Sequence, residues 1–325
     1  MKTFPSQSSY LFAGAYTTAR MFSLISENQI ERLFGARNES EIMDALQDTF
    51  LAPYLASTSS INESLEKAVT QAKKDLISVS PDPDLLLPLW YKYDFYNIRN
   101  IIKGTLKGLS EEEILASCFE TGMFTPKELF DAFTDGTLVA IHPFLHKVVE
   151  QAKSVKDSYE IDAIKNKEYF NGMAEFAKTT KNTFILSYIT LLTDLFNLKT
   201  KLRLTKLKNV TQRDIFAHNG SIPYFVFESL SPRELFSRFG GSDYWDQALT
   251  EYENNSSFAL VDKLSEEYIH SFLKRESMNL WSIAPQYAYF NAMKNNVQTV
   301  RAIIAGKNAG IPESELRINL RKIFR

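Results

Sequence analysis

Apolar residues recur every three or four positions along most of this chain, with charges set between them. Two stretches sustain the pattern without a glycine or a proline, Ser57 to Val79 and Ala174 to Val210. That spacing puts one apolar side chain per turn on a common face, as amphipathic helices do. Alternation of the strand type is scarce. Pro223-Tyr-Phe-Val-Phe227 is the one β-looking patch, and its residues suit strand and helix equally. The pattern predicts an all-α fold.

The pattern also repeats. Asp94-Phe-Tyr-Asn97-Ile98-Arg99 is followed about one hundred residues later by Asp194-Leu-Phe-Asn197-Leu198-Lys199, and again by Asn296-Val-Gln-Thr299-Val300-Arg301. A second element follows each copy, with a helix stop at Gly or Asn and then a new helix start. These are Gly108 to Ser110 and Glu113, Asn209 to Thr211 and Asp214, and Gly310 to Pro312 and Glu315. A third element is a helix start of the form cap, proline, any residue, glutamate, at Thr125–Glu128 and Ser231–Glu234, with a weaker version at Asn38–Glu41. Three elements in one order, three times, predict three similar helical units, roughly 1–119, 120–218 and 219–325. Such units can close around a pseudo-threefold axis and enclose a concavity, or stack as an open solenoid.

Within the repeat, Asp94, Asn97, Arg99, Asp194, Asn197, Lys199, Thr299 and Arg301 read as structural positions, because a residue that recurs in every copy serves the fold more readily than it serves one reaction. Asp94 and Asp194 suit two kinds of partner, the nearby cations Arg99 and Lys199 or neighbouring helix ends, with a surface role as the alternative. The segment from Lys199 to Lys208 alternates cations with apolar residues near a helix end, where cations complement the dipole. It reads as a solvated face or as a contact for an acidic protein surface, with Lys201, Arg203, Lys206 and Lys208 as candidate interface residues.

Composition narrows the function. The 325 residues are 44% apolar and 23% charged, ordinary for a globular protein, and the formal net charge of -2 argues against a dedicated nucleic-acid binder. Cys118 is the one cysteine, so no intrachain disulfide forms and a reducing compartment is the simple expectation. The best apolar run, Phe184 to Leu192, falls short of the roughly 20 residues that span a bilayer, and Met1 to Pro5 lacks a signal-peptide core. A soluble protein that meets a membrane through a partner is the expectation.

Reactive constellations are missing from the sequence. Gly306-Lys307 lacks the rest of a phosphate-binding loop. His142 and His146 have helical i, i+4 spacing, but a zinc hydrolase needs a glutamate after the first histidine and Pro143 stands there. They read as a helix-start pair. No catalytic, cofactor or metal site is expected.

Two segments carry a family resemblance. Tyr93 to Gly104, and the tail from Asn295 through Arg301, Lys307, Ile311, Pro312 and Leu316 to Leu320, resemble the C subunit of V-type ATPases and ATP synthases, called d in eukaryotes. The triplication and the length agree with it, while Asn295, Asn296 and Lys199 depart from its pattern. The resemblance implies a funnel-like, all-helical, non-catalytic subunit with a central concavity and no cofactor. It implies one copy per complex on the cytoplasmic side of a membrane, between the central rotor shaft (subunits of the D and F type) and the membrane proteolipid ring, during H⁺ or Na⁺ transport. A stand-alone helical-repeat adaptor for a soluble protein is the alternative.

Overall fold

A computed structural model describes residues 7–58, 60–206 and 215–320. Among them there is no strand. The helices in chain order are α1 (Gln7–Met21), α2 (Glu27–Gly35), α3 (Glu39–Leu46), α4 (Ala52–Leu55), α5 (Ile61–Val79), α6 (Leu87–Leu106), α7 (Glu111–Ala116), α8 (Pro126–Thr134), α9 (Leu138–Ile141) and α10 (Pro143–Ala152). They continue as α11 (Ser158–Thr180), α12 (Thr183–Leu204), α13 (Tyr224–Ser229), α14 (Pro232–Ser237), α15 (Ser242–Asn255), α16 (Ala259–Glu276), α17 (Ala284–Asn308) and α18 (Glu313–Asn319).

Helix starts follow local chemistry. Ser110, Thr125 and Ser231 each accept the amide three residues on, and Glu113, Glu128 and Glu234 reach back to the cap amide, so all three are complete capping boxes. Asn38 caps α3 by accepting Glu41 N at 3.0 Å. The helix start expected at Thr211 and Asp214 lies outside the described residues. Pro312 takes the cap position of α18.

Two sequence readings are refined. The stretch Ala174–Val210 is not one continuous helix. Lys181 adopts a left-handed conformation at φ 53°, and Asn182 caps α12 by accepting Ile185 N. The turn uses no glycine, so the punctuation was invisible to a search for Gly and Pro. The β-looking patch resolves as helix, because Pro223 starts α13 and its fixed φ suits that position.

The chain divides into two compact units. One holds the residues up to Leu86 and those from Ala248 onward, and the other is Leu87–Gln247. In the second unit α6 packs against α8, α10 and α11, and α11 against α12. Its core gathers Phe95, Ile98, Ile101 and Ile102 of α6 with Ile114, Leu129, Leu145 and Val148. Those α6 positions fall on one face at offsets of three and four. In the first unit α17 packs against α1, α5 and α16. Ile61, Leu65, Ala68, Val69, Ala72 and Leu76 form the buried stripe of α5. Tyr287 is fully buried, and its hydroxyl donates to Leu85 O at 2.6 Å. No helix among the described residues is long and apolar enough to cross a membrane.

Candidate functional site

The repeated signature falls on three long helices, α6, α12 and α17, with its acid, amide and hydroxyl members buried and its cations half-buried. On α6, Asp94 Oδ2 accepts Met123 N at 3.0 Å and Oδ1 accepts Phe124 N at 3.2 Å. The next residue is the cap Thr125, so the carboxylate ties α6 to the turn that starts α8. On α12, Asp194 Oδ1 accepts Ser221 N at 2.8 Å and Ile222 N at 3.2 Å, while Oδ2 accepts the Ser221 hydroxyl at 2.6 Å. Here Pro223 follows, and α13 begins. Burial pushes the Asp194 carboxyl above the usual carboxylate range, against the opposing pull of these donors. Of the two kinds of partner open to these acids in the sequence, the geometry gives both the helix end. A Cβ at Gly122 or Gly220 would overlap the carboxylate of Asp94 or Asp194, so glycine is what lets the turn close over each acid.

Asparagine works one turn further along. Asn97 Nδ2 donates to Phe119 O and Oδ1 accepts Phe119 N, both at 2.8 Å. Asn197 does the same to Ala217, at 2.8 and 2.9 Å. Each amide side chain replaces a missing backbone partner in both directions.

On α17 the same positions carry different groups. Asn296 is fully buried, and its Oδ1 accepts Ile25 N at 2.6 Å. The next residue, Ser26, starts α2 with a complete capping box to Gln29. Thr299 is buried, and its hydroxyl finds no hydrogen-bond partner among the described residues.

Two of the signature cations, Arg99 and Arg301, reach acids on other helices. Arg99 Nη1 lies 3.6 Å and Lys103 Nζ 2.9 Å from Asp162 Oδ1 of α11. Arg99 and Lys165 stack over the Tyr96 ring at 5.2 and 4.3 Å. Two cations thus pair with one carboxylate, and Lys165, whose ammonium donates to Asn166 Oδ1 at 2.6 Å, lies close enough to feel all three charges. Burial first, and the charge of Arg99 next, push Lys165 down to about 8. Arg301 pairs with Glu66 of α5. Lys199 is half-buried on α12.

The basic segment is not one solvated face. Lys201 is buried, and its ammonium donates to Phe227 O at 2.6 Å and Glu228 O at 3.1 Å, near the end of α13. The cation neutralises a helix C-terminus inside the fold, and burial lowers its pKa. Arg203 is half-buried, Lys206 is exposed, and Lys208 lies outside the described residues.

Reactive chemistry has little to work with. His142 Nδ1 accepts Leu145 N and so caps α10, and its ring packs edge-on against Tyr91 and Phe95. Burial pushes its pKa down. The half-buried Cys118 thiol donates to Ile114 O at 3.4 Å, and burial pushes its pKa up, away from the reactive thiolate. No cluster of His, Cys, Asp or Glu suited to a metal ion occurs among the described residues. Sequence reasoning missed the long-range partners Ile25 of Asn296 and Glu66 of Arg301. It also missed Lys307, whose ammonium donates to Phe34 O and Ala36 O at the end of α2. One signal was legible, since Ser26-Glu-Asn-Gln29 is a capping box of the Thr125–Glu128 kind.

Comparison with known proteins agrees with this architecture. Residues 15–318 match the family model described as the ATP synthase (C/AC39) subunit. The C subunit of the V-type sodium ATPase of Enterococcus hirae is 19% identical over 319 residues, covering 94% of this chain and 96% of that protein. The C subunit of the A-type ATP synthase of Archaeoglobus fulgidus is 24% identical, over 89% of this chain and 86% of that one. Its counterpart in Methanococcoides burtonii is 25% identical, over 78% and 75%. With the match spanning nearly all of an all-helical chain, the protein belongs to the ATP synthase (C/AC39) subunit family, the C subunits of V-type and A-type rotary ATPases.

Proposed function

We propose that this chain is a non-catalytic coupling subunit of a rotary ATPase, seated on the cytoplasmic side between the central shaft and the membrane proteolipid ring. One copy turns with the rotor, touches shaft subunits of the D and F type, and transmits torque during H⁺ or Na⁺ transport. The observation that carries this reading is the set of side-chain clamps at Asp94, Asp194 and Asn296. Each fixes a long helix to the start of another helix far along the chain. A torque-bearing part has to resist twisting, and buried directional bonds between close-packed helices supply that stiffness.

The clamps also support reading the chain as three units, 1–119, 120–218 and 219–325. The helix of the first unit holds residues 123–124 of the second, and that of the second holds residues 221–222 of the third. The helix of the third holds Ile25 of the first. On this reading Arg203 and Lys206 serve an interface, whereas Lys201 serves the fold. A mild-detergent pull-down from source membranes, with the chain tagged and the co-purifying proteins identified by mass spectrometry, tests the proposal. Recovery of shaft, ring and ATPase head is the expected result. Recovery of soluble proteins alone would replace it with the adaptor reading.

A further inference from the structure

A groove of about 460 Å³ opens on the first unit, between the end of α1, the end of α16 and the start of α17. Leu273 and Ala288 lie within it, and Phe22 and Met278 also line it. Phe22 is 78% and Met278 81% exposed, a degree of exposure that a large apolar side chain carries at a cost unless something covers it. Trp281, 52% exposed, follows in the same turn as Met278. That turn is anchored, because a Cβ on Gly14 of α1 would come within 3.0 Å of Leu280 O. The backbone that carries Met278 and Trp281 is therefore held against α1.

The lining states what fits. It offers few hydrogen-bonding groups, so an occupant has to satisfy its own backbone, as a helix does and an extended segment does not. No carboxylate lines the groove, whereas Lys274 lines it, is exposed and forms no ion pair among the described residues. An acidic group facing Lys274 completes the charge balance. We infer that this groove docks an amphipathic helix of another subunit of the rotary assembly, with its apolar stripe over Phe22 and Met278 and a carboxylate against Lys274. The inference rests on the function proposed above and adds to it a dry, helix-in-groove contact.

The test places a photo-crosslinking benzoylphenylalanine at position 278 of the tagged chain in source cells, irradiates the membranes, and sequences the crosslinked peptide. The expected product joins position 278 to an assembly subunit, at a segment with apolar residues at helical spacing and a nearby acid. Phe22→Ala lowers its yield at least about tenfold, as removal of an interface hot spot does. Lys274→Glu lowers it too, and reversing the partner's acid restores it. Both substituted side chains are exposed, so the melting temperature stays that of the unmodified chain. Recovery of the assembly with no crosslink, or with a crosslink to lipid or to a second copy of this chain, overturns the groove inference and leaves the proposed function standing. If the unmodified tagged chain recovers no ATPase subunit, the proposed function falls and takes this inference with it.

Discussion

The clamps of α6 and α12 are built from carboxylates beneath glycines, and that of α17 from an amide. The difference follows from how many backbone donors each must satisfy. Asp94 meets at least two amides, and Asp194 meets two amides and a hydroxyl. Asn296 meets one, because the preceding amide, Leu24 N, already donates to Met21 O. Where Gly122 and Gly220 stand two residues before the last amide held, Ser23 stands two before Ile25. One acceptor atom is enough for one donor, and an amide supplies it without burying a charge, at the cost of a buried Nδ2 that finds no hydrogen-bond partner among the described residues. The substitution of acid by asparagine, a departure at the level of sequence, is thus consistent with the local wiring.

Removing the acid altogether gives the largest expected effect. Asp94→Ala leaves Met123 N and Phe124 N without an acceptor, and two such losses cost about 3 kcal/mol. Urea unfolding followed by circular dichroism should show the midpoint fall accordingly. A midpoint shift near zero would mean that water replaces the carboxylate freely and that the clamp is incidental.

Conservative replacement sharpens the comparison between the two acids. Asp94 uses one oxygen per amide, so in Asp94→Asn an NH₂ group has to face a backbone N–H, at about 2 kcal/mol. Asp194 takes both amides on one oxygen and a hydroxyl on the other, and a hydroxyl can turn to accept from NH₂. Asp194→Asn also relieves the burial that raises this carboxyl's pKa. Its expected loss is under about 1 kcal/mol. Equal losses for the two variants, read from the same urea curves, would refute this assignment of donors.

Much of the local structure was readable from sequence, because caps are short-range chemistry. Ser110, Thr125 and Ser231 each need only a partner three residues away. The left-handed Lys181 was not readable, since its neighbours carry no glycine. The burial of Lys201 was hidden as well. Alternating cations read as a solvated face, and only the tertiary placement of α13 gives that ammonium two carbonyls. The bond from Asn296 to Ile25 spans 271 positions, and no local pattern announces a partner that distant. Repetition showed which positions matter, but not what each one touches.

The cations differ between copies as the acids do. Arg99, Lys103 and Lys165 crowd one carboxylate, whereas Arg301 has Glu66 in a simple pair. Lys165 is the strained member. Its pKa falls from 10.5 to about 8 on folding, so the unfolded chain binds the proton more tightly. Stability is therefore lost as pH drops from 10.5 to about 8, and is flat below that. Lys165→Met removes the penalty and gives up the stacking over Tyr96 and the hydrogen bond to Asn166 Oδ1. A net gain of about 1 kcal/mol near pH 7 is expected, fading and then reversing toward pH 10.5. Melting temperatures of both chains across pH 6–10 give the readout, and a difference independent of pH would remove Lys165 as its source.

The pair on α17 should give the smallest effect. Arg301 is 37% and Glu66 45% exposed, so water already solvates both charges, and Glu66→Gln should cost less than about 1 kcal/mol. Around Arg99 the exposures are lower, 20–27% for the two cations of the Asp162 pair, and removing that acid leaves three cations facing one another. Asp162→Asn should therefore cost about 1–2 kcal/mol more than Glu66→Gln at low ionic strength. Salt separates the two cases. At about 1 M the screening length drops to about 3 Å, and the cost of Glu66→Gln should vanish while part of that of Asp162→Asn persists in the drier site. Unfolding curves of the two variants at low and high salt decide the matter. If both costs vanish together, the cluster on α6 is as wet as the pair on α17, and the surplus of charge at Arg99 does not strain the fold.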